Sequence, residues 1–167
     1  EILNDKYNKK IIFVHLMGSH SIYSNRYPKK FNYFKTNIDS TSNPHINHII
    51  KTYDNSIIYN DFIIYNLITQ LKSTNNNSIL LYFSDHGEEV YDSIYFDGHS
   101  EEIGTKNMYE IPYILWMSRK IKNKLPIDLH KNDLLSRKII NDNLIYSIGD
   151  ITGIKFDQQN LTKSMIW

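Results

Sequence analysis

An α/β fold, with helices layered over a mostly parallel sheet, is predicted for this 167-residue chain by three observations. Ile79-Leu80-Leu81-Tyr82-Phe83 is an uninterrupted run of large apolar residues, as expected of a strand buried on both faces. Ile11-Ile12-Phe13-Val14-His15-Leu16 is a second such run. Between them, residues 49–72 carry the clearest helical pattern of the chain. A helix followed by a strand through a short connection is half of a right-handed βαβ unit.

The run at residues 11–16 starts soon after Glu1, with no signal-peptide pattern before it, so the sequence reads as a piece of something longer. Gly18 releases that run into Ser19-His20-Ser21. Residues 27–47 are polar and turn-rich, with Pro28 and Pro44, and read as a surface excursion. In the helix, projected at about 100° per residue, Ile50, Tyr53, Ile57, Ile64, Ile68 and Leu71 share one face. Asp61 falls inside that face and Asp54 at its margin. Both are expected to be mostly buried and hydrogen-bonded rather than metal-bound, because an unsatisfied buried charge is costly. Ser73-Thr74-Asn75-Asn76-Asn77 ends the helix. Residues 88–110 form a long polar loop with Gly98 and Gly104, a length that is usually functional or mobile in a compact domain. Ile111-Pro112-Tyr113-Ile114-Leu115-Trp116-Met117 reads as a third strand, with proline near its start where a missing N–H is tolerated. Residues 133–149 read as a last helix with Asp133 as N-cap.

Composition excludes several classes. The formal charge is +1, which gives no field directed at nucleic acid. The densest basic stretch, residues 119–124, reads as a solvated loop. There are no cysteines, so disulfides and thiolate metal sites are ruled out. No apolar run approaches the ~20 residues of a membrane span. The chain has 27 Ile against 2 Val, no Ala and 19 Asn. Isoleucine abundance is thus weak evidence for strands, and position carries the argument.

The chemistry concentrates at Ser84-Asp85-His86-Gly87-Glu88, directly after the apolar run at 79–83. Open α/β sheets place ligands just beyond the carboxyl ends of their strands. Adjacent Asp and His offer the oxygen and nitrogen that Zn²⁺ prefers. The same residues also fit a plain strand-exit turn in which Asp85 accepts backbone N–H bonds. His20, just past the first run, is expected at the same sheet edge. His99, inside the long loop, is able to fold over that edge, though a solvated role fits each histidine taken alone. His15 reads as a core histidine. His45 and His48 have ligand-like spacing but precede the helix in a polar segment, and His130 has no partner in sequence.

Phe13-Val14-His15-Leu16-Met17-Gly18-Ser19-His20 followed by Arg26-Tyr27-Pro28 resembles the phosphoethanolamine transferases of Gram-negative envelopes, within the alkaline phosphatase/sulfatase superfamily. Tyr53-Asp54-Asn55-Ser56-Ile57 with Asp61, Ser84-Asp85-His86-Gly87-Glu88, and Ile111-Pro112-Tyr113 leading to Trp116 match in the same order, and Asp142-Asn143-Leu144 also fits. The resemblance spans about residues 11–150. It implies a three-layer α/β/α alkaline phosphatase-like fold of which only the C-terminal half is present. It also implies that residues 1–167 are the C-terminal portion of a catalytic domain, with Asp85 and His86 as Zn²⁺ ligands. His20 and His99 would contact the phosphoryl group or a second metal. The implied reaction moves phosphoethanolamine from phosphatidylethanolamine to a lipopolysaccharide or lipooligosaccharide acceptor, lipid A or core, at the periplasmic face of the inner membrane. The threonine nucleophile and the membrane anchor would lie in the part preceding Glu1, so the chain alone is expected to be inactive. Related enzymes often carry paired cysteines before the helix, and this chain has none there.

Two other readings fit the same residues. A sulfatase or phosphodiesterase of the superfamily would keep the Asp-His pair and differ in its nucleophile. A non-catalytic α/β module would use Asp85 to cap a turn and leave the histidines in solvent.

Overall fold

The computed structural model describes residues 7–34, 41–124, 138–157 and 160–165. They fall into two compact units, one made of the described residues within 1–64 and 88–103, the other of those within 65–87 and 104–167.

Helix α1, Pro44–Ser73, begins in the first unit and ends in the second. Asn43 caps it: its Oδ1 accepts from the His45 N–H at 2.9 Å, with Pro44 in the first helical position. The helix therefore starts five residues before the apolar periodicity, and His45 and His48 lie in its opening turns rather than ahead of it. At its far end Asn75 adopts a left-handed conformation, φ 52°, and its N–H bonds the Lys72 carbonyl.

In the first unit, Tyr23, Phe31, Ile46, Ile64 and Val90 are buried. Two short 3₁₀ turns lie against α1: Tyr23–Asn25, ahead of the expected excursion, and Lys29–Phe31, within it. Phe31 meets Tyr59 and Phe62 at 4.8 and 4.9 Å between ring centroids, and Tyr23 meets Tyr53 edge-on at 5.1 Å. The buried α1 residues here include the polar Thr52, Asn55 and Ser56, and of the apolar stripe Ile64. Asn55 explains this. Its Oδ1 accepts from the N–H groups of Tyr33 and Phe34 at 2.9 and 3.0 Å, and its Nδ2 donates to Asn32 Oδ1 at 3.0 Å. The Tyr33 N–H is shared with the Phe31 carbonyl, but the Phe34 N–H relies on Asn55, and that demand accompanies a polar helix face turned inward. Ile57 is left 43% exposed, and Asp61 is exposed rather than buried, which corrects the expected helix phase.

The run at residues 11–16 forms no ladder among the described residues, and Phe13 is 84% exposed. A strand without a neighbour has neither hydrogen-bond partners nor a face to cover. His15, expected in a core, is exposed with it. Strand β2, Glu89–Val90, pairs antiparallel with β3, Asp97–Gly98, so the long loop carries its own small ladder.

In the second unit, β1, Ile79–Phe83, pairs antiparallel with β4, Tyr113–Met117, and Phe83 faces Tyr113 in the register. The α/β class holds, but both ladders among the described residues are antiparallel, not parallel. The connection from β1 to β4 holds only the β2–β3 ladder and the single-turn helix α2, Lys106–Tyr109. A parallel return needs a crossover, usually a helix laid over the sheet. Both five-residue strands are half-buried throughout rather than enclosed on two faces. Arg119–Lys122 is a short helix, α3, where a loop was expected. The last helix, α4, runs Leu144–Thr152 after a 3₁₀ turn at Asn141–Asn143, so it starts later than expected and ends on Gly153 at φ 74°. Asp133 and His130 lie outside the described residues. No helix among the described residues is long and apolar enough to cross a membrane.

Candidate functional site

Asp85 and His86 leave the carboxyl end of β1 in a turn held by short polar contacts. Ser84 Oγ donates to the His86 carbonyl at 2.7 Å, and the His86 N–H donates to Asp85 Oδ1 at 3.1 Å. Asn141, ahead of α4, spans the turn by donating its Nδ2 to the Ser84 and Asp85 carbonyls at 3.0 and 3.2 Å. Nothing in the sequence singled out Asn141 among the 19 asparagines.

The His86 ring is oriented by its own neighbour. Nδ1 lies 2.9 Å from the Gly87 carbonyl, which can only accept, so Nδ1 is the donor there, and in the neutral ring Nε2 carries the lone pair. A metal-ligating imidazole takes this arrangement, one nitrogen donating to a backbone carbonyl and the other turned to the metal. Asp85 Oδ2 lies 4.0 Å from Nε2, and the Asp85 side chain is 88% exposed. Two ligands on a tetrahedral zinc ion stand ~3.4 Å apart, so a small rotation of the exposed carboxylate closes the gap. Burial pushes the Asp85 carboxyl up, but its backbone hydrogen bonds, the His86 ring and the Ser84 hydroxyl outweigh that and hold it below its ordinary value. It is ionised at neutral pH and available as an oxygen donor. The pair thus fits zinc in donor type, tautomer and spacing. It supplies two donors, and no group of three His, Asp or Glu able to hold a metal occurs among the described residues.

Gly87 is required by close approach. Its N–H donates to the Met108 carbonyl at 2.8 Å, and a Cβ on it would run into the carbonyl oxygens of Asn107 and Glu110. The residue after His86 therefore has to lie flat against the α2 turn.

His20 and His99 both belong to the first unit. His20 is exposed, with the Ser21 hydroxyl 3.3 Å from its Nδ1. Its turn is fixed by Arg26, which donates Nε to the His20 carbonyl at 3.0 Å and Nη2 to the Ser21 carbonyl at 2.8 Å. The next residue, Ile22, sits at φ 60°, a left-handed conformation that costs a β-branched side chain ~1–2 kcal/mol. His99 is half-buried and directly follows Gly98, whose φ of 108° is open to glycine and strained for any other residue. A cavity of about 290 Å³ in the same unit, lined by Ser24, Tyr27, Lys29, Asn32, His48 and Thr52 among others, contains none of the four candidate residues.

A family model described as Sulfatase matches residues 1–154. Phosphoethanolamine transferase EptC of Escherichia coli K12 is 38% identical over 172 residues, covering 99% of this chain and 29% of that protein. The chain thus spans about 29% of the length of such curated relatives. Among solved structures, the C-terminal periplasmic domain of EptC from Escherichia coli superposes with a TM-score of 0.92 at 38% identity, covering 99% of this chain and 48% of that one. The same domain in complex with Zn gives a TM-score of 0.89 at 37% identity, covering 99% and 47%. The α/β architecture of these domains is the fold class expected from the sequence.

Proposed function

This chain belongs to the sulfatase family, and on that premise we propose that residues 1–167 are the C-terminal portion of the catalytic domain of a metal-dependent phosphoethanolamine transferase. The reaction moves phosphoethanolamine from a phospholipid of the phosphatidylethanolamine class to a lipopolysaccharide or lipooligosaccharide acceptor. It takes place at the periplasmic face of the inner membrane. The threonine nucleophile and the membrane anchor belong to the rest of the protein. The observation that carries the reading is the His86 ring, held as the Nδ1–H tautomer by the Gly87 carbonyl with Nε2 4.0 Å from an ionised Asp85.

In this reading Asp85 Oδ2 and His86 Nε2 are ligands to zinc, as suits a relative solved with that metal. When bound, zinc offsets negative charge on the phosphoryl oxygens and lowers the pKa of a coordinated hydroxyl. The chain's other residues hold protons and positions. Phosphoryl transfer requires charge neutralisation and alignment more than covalent work by the protein. His20 and His99 serve the phosphoryl group: one imidazole donates to the departing glycerol oxygen and one takes the proton of the acceptor hydroxyl. Asn141 and Ser84 keep the Asp85–His86 turn in shape, and Gly87 keeps the imidazole aligned.

The test is transfer of phosphoethanolamine by the full-length enzyme from a fluorescent phosphatidylethanolamine to lipopolysaccharide, followed by mass spectrometry of the acceptor. A mass gain of one phosphoethanolamine group, lost on chelation and restored by zinc, is expected. Release of sulfate or of free phosphoethanolamine without acceptor modification would overturn the transferase assignment in favour of a hydrolase.

A further inference from the structure

The turn that carries His20 and the ladder that carries His99 are joined by one hydrogen bond between side chains 65 residues apart. Tyr23 Oη donates to Glu88 Oε2 at 2.9 Å. Tyr23 is 3% exposed, with its ring edge-on to Tyr53, so the hydroxyl cannot swing to another acceptor without unpacking the ring. Burial, then the bond to Glu88 and the charges of Glu88 and Asp97, push its pKa far above the phenol value, so it remains a donor throughout the working pH range.

Both ends of this bond sit on backbone that must be held in place. On one side Ile22 is in the left-handed region, at the cap of the Tyr23–Asn25 turn, with Arg26 pinning the His20 and Ser21 carbonyls. A strained residue of this kind persists only where its surroundings over-determine it, and such strain concentrates at functional sites. On the other side Glu88 precedes β2 and lies beside Gly98, the last residue before His99. The loop between β2 and β3 is braced internally. Fully buried Glu89 accepts from the Ser93 N–H and hydroxyl at 2.8 and 2.6 Å, and Tyr91 Oη donates to Asp97 Oδ1 at 2.7 Å. Two rigid pieces, each bearing one histidine, thus meet through Tyr23 and Glu88.

We propose that Tyr23 and Glu88 are positioning residues, whose hydrogen bond fixes the His20 turn to the His99 ladder so that both imidazoles address one phosphoryl group. The inference rests on the reading that His20 and His99 serve that group. A misplacement of about 1 Å at a reacting group can cost ~10²-fold in rate. Loss of this link should therefore act on turnover rather than on substrate binding.

The experiment is a double-mutant cycle in the full-length, zinc-loaded enzyme. Tyr23→Phe keeps the buried ring and deletes only the hydroxyl. Glu88→Ala deletes the acceptor, and Glu88→Gln keeps an uncharged carbonyl acceptor. Expected are ~10–10²-fold lower kcat for Tyr23→Phe and Glu88→Ala, with KM, zinc content and Tm near those of the parent. The double variant should be no slower than either single one, and Glu88→Gln should recover most of the lost rate. Additive losses, unchanged kcat in Tyr23→Phe, or a Glu88→Gln as slow as Glu88→Ala would each overturn the proposal; the last would mean that the carboxylate charge is used directly. His20→Ala and His99→Ala separate the two levels. If these lower turnover while Tyr23→Phe does not, only the positioning role fails. If neither lowers it, the assignment of the histidines fails, and the positioning role fails with it.

Discussion

Replacing Gly87 by alanine puts a Cβ against two backbone oxygens at once. The Glu110 carbonyl would stand 2.9 Å away and the Asn107 carbonyl well inside van der Waals contact. Neither oxygen can rotate aside as a side chain would. Met108, fully buried, anchors the α2 turn from within and accepts the Gly87 N–H bond. Either that turn or residue 87 has to move by roughly an ångström, and overpacking of this kind costs ~1–3 kcal/mol. The displacement falls on the carbonyl that accepts from His86 Nδ1. Loss of such a supporting bond lowers metal affinity ~10–100-fold. Both effects are measurable in the full-length enzyme, by thermal unfolding and by zinc competition against a chromophoric chelator. A lower Tm together with ~10–100-fold weaker zinc is expected. Unchanged zinc affinity in a destabilised variant would refute the supporting role of the Gly87 carbonyl, and an unchanged Tm would refute the close approach itself.

Asn55→Ala should destabilise the enzyme by ~1–3 kcal/mol in urea unfolding, since it orphans the Phe34 N–H and leaves the Tyr33 N–H only its bond to the Phe31 carbonyl. Hydrogen exchange at those two amides should speed up together, and an unchanged pattern would mean that water replaces Asn55 at no cost. Asp54 is raised above its ordinary value first by burial and then by the nearby Asp92. A carboxyl with a raised folded pKa contributes stability below its unfolded pKa, and that contribution is lost as pH rises through the folded value. Asp54→Asn should therefore raise Tm at pH 7, with the gain disappearing below the carboxyl's ordinary value of 3.8; a gain that persists in acid would point to another cause.

What could be read in advance follows from where the physics is local. The run at 79–83 leading to Asp85-His86 was legible because a strand and its polar exit are written in consecutive residues, although β1 is half-buried rather than enclosed on both faces. Pro112 and the apolar run after it placed β4 for the same reason. The pairing direction was not legible, because it depends on what the intervening chain does rather than on either strand. The run at 11–16 has the composition of a strand but no partner among the described residues, and composition alone makes no ladder. On α1, hydrophobic periodicity pointed to the wrong face over the first half of the helix. Thr52, Asn55 and Ser56 are buried because they satisfy groups of a distant loop, and no sequence period records that demand. Asp61 and His15 were misplaced by the same reasoning. Among the candidate residues, Asp85, His86, His20 and His99 stand out in the sequence by chemical type, whereas the contacts of Tyr23, Glu88 and Asn141 appear only in three dimensions.

The most direct test of the central claim is zinc content by inductively coupled plasma mass spectrometry of the full-length enzyme and its Asp85→Asn and His86→Gln variants, each checked for retained fold by circular dichroism. Tightly bound zinc in the parent, and its loss in both folded variants, is the expected result. Undiminished zinc in either one would contradict the assignment of the Asp85–His86 turn as the metal-binding end of the site.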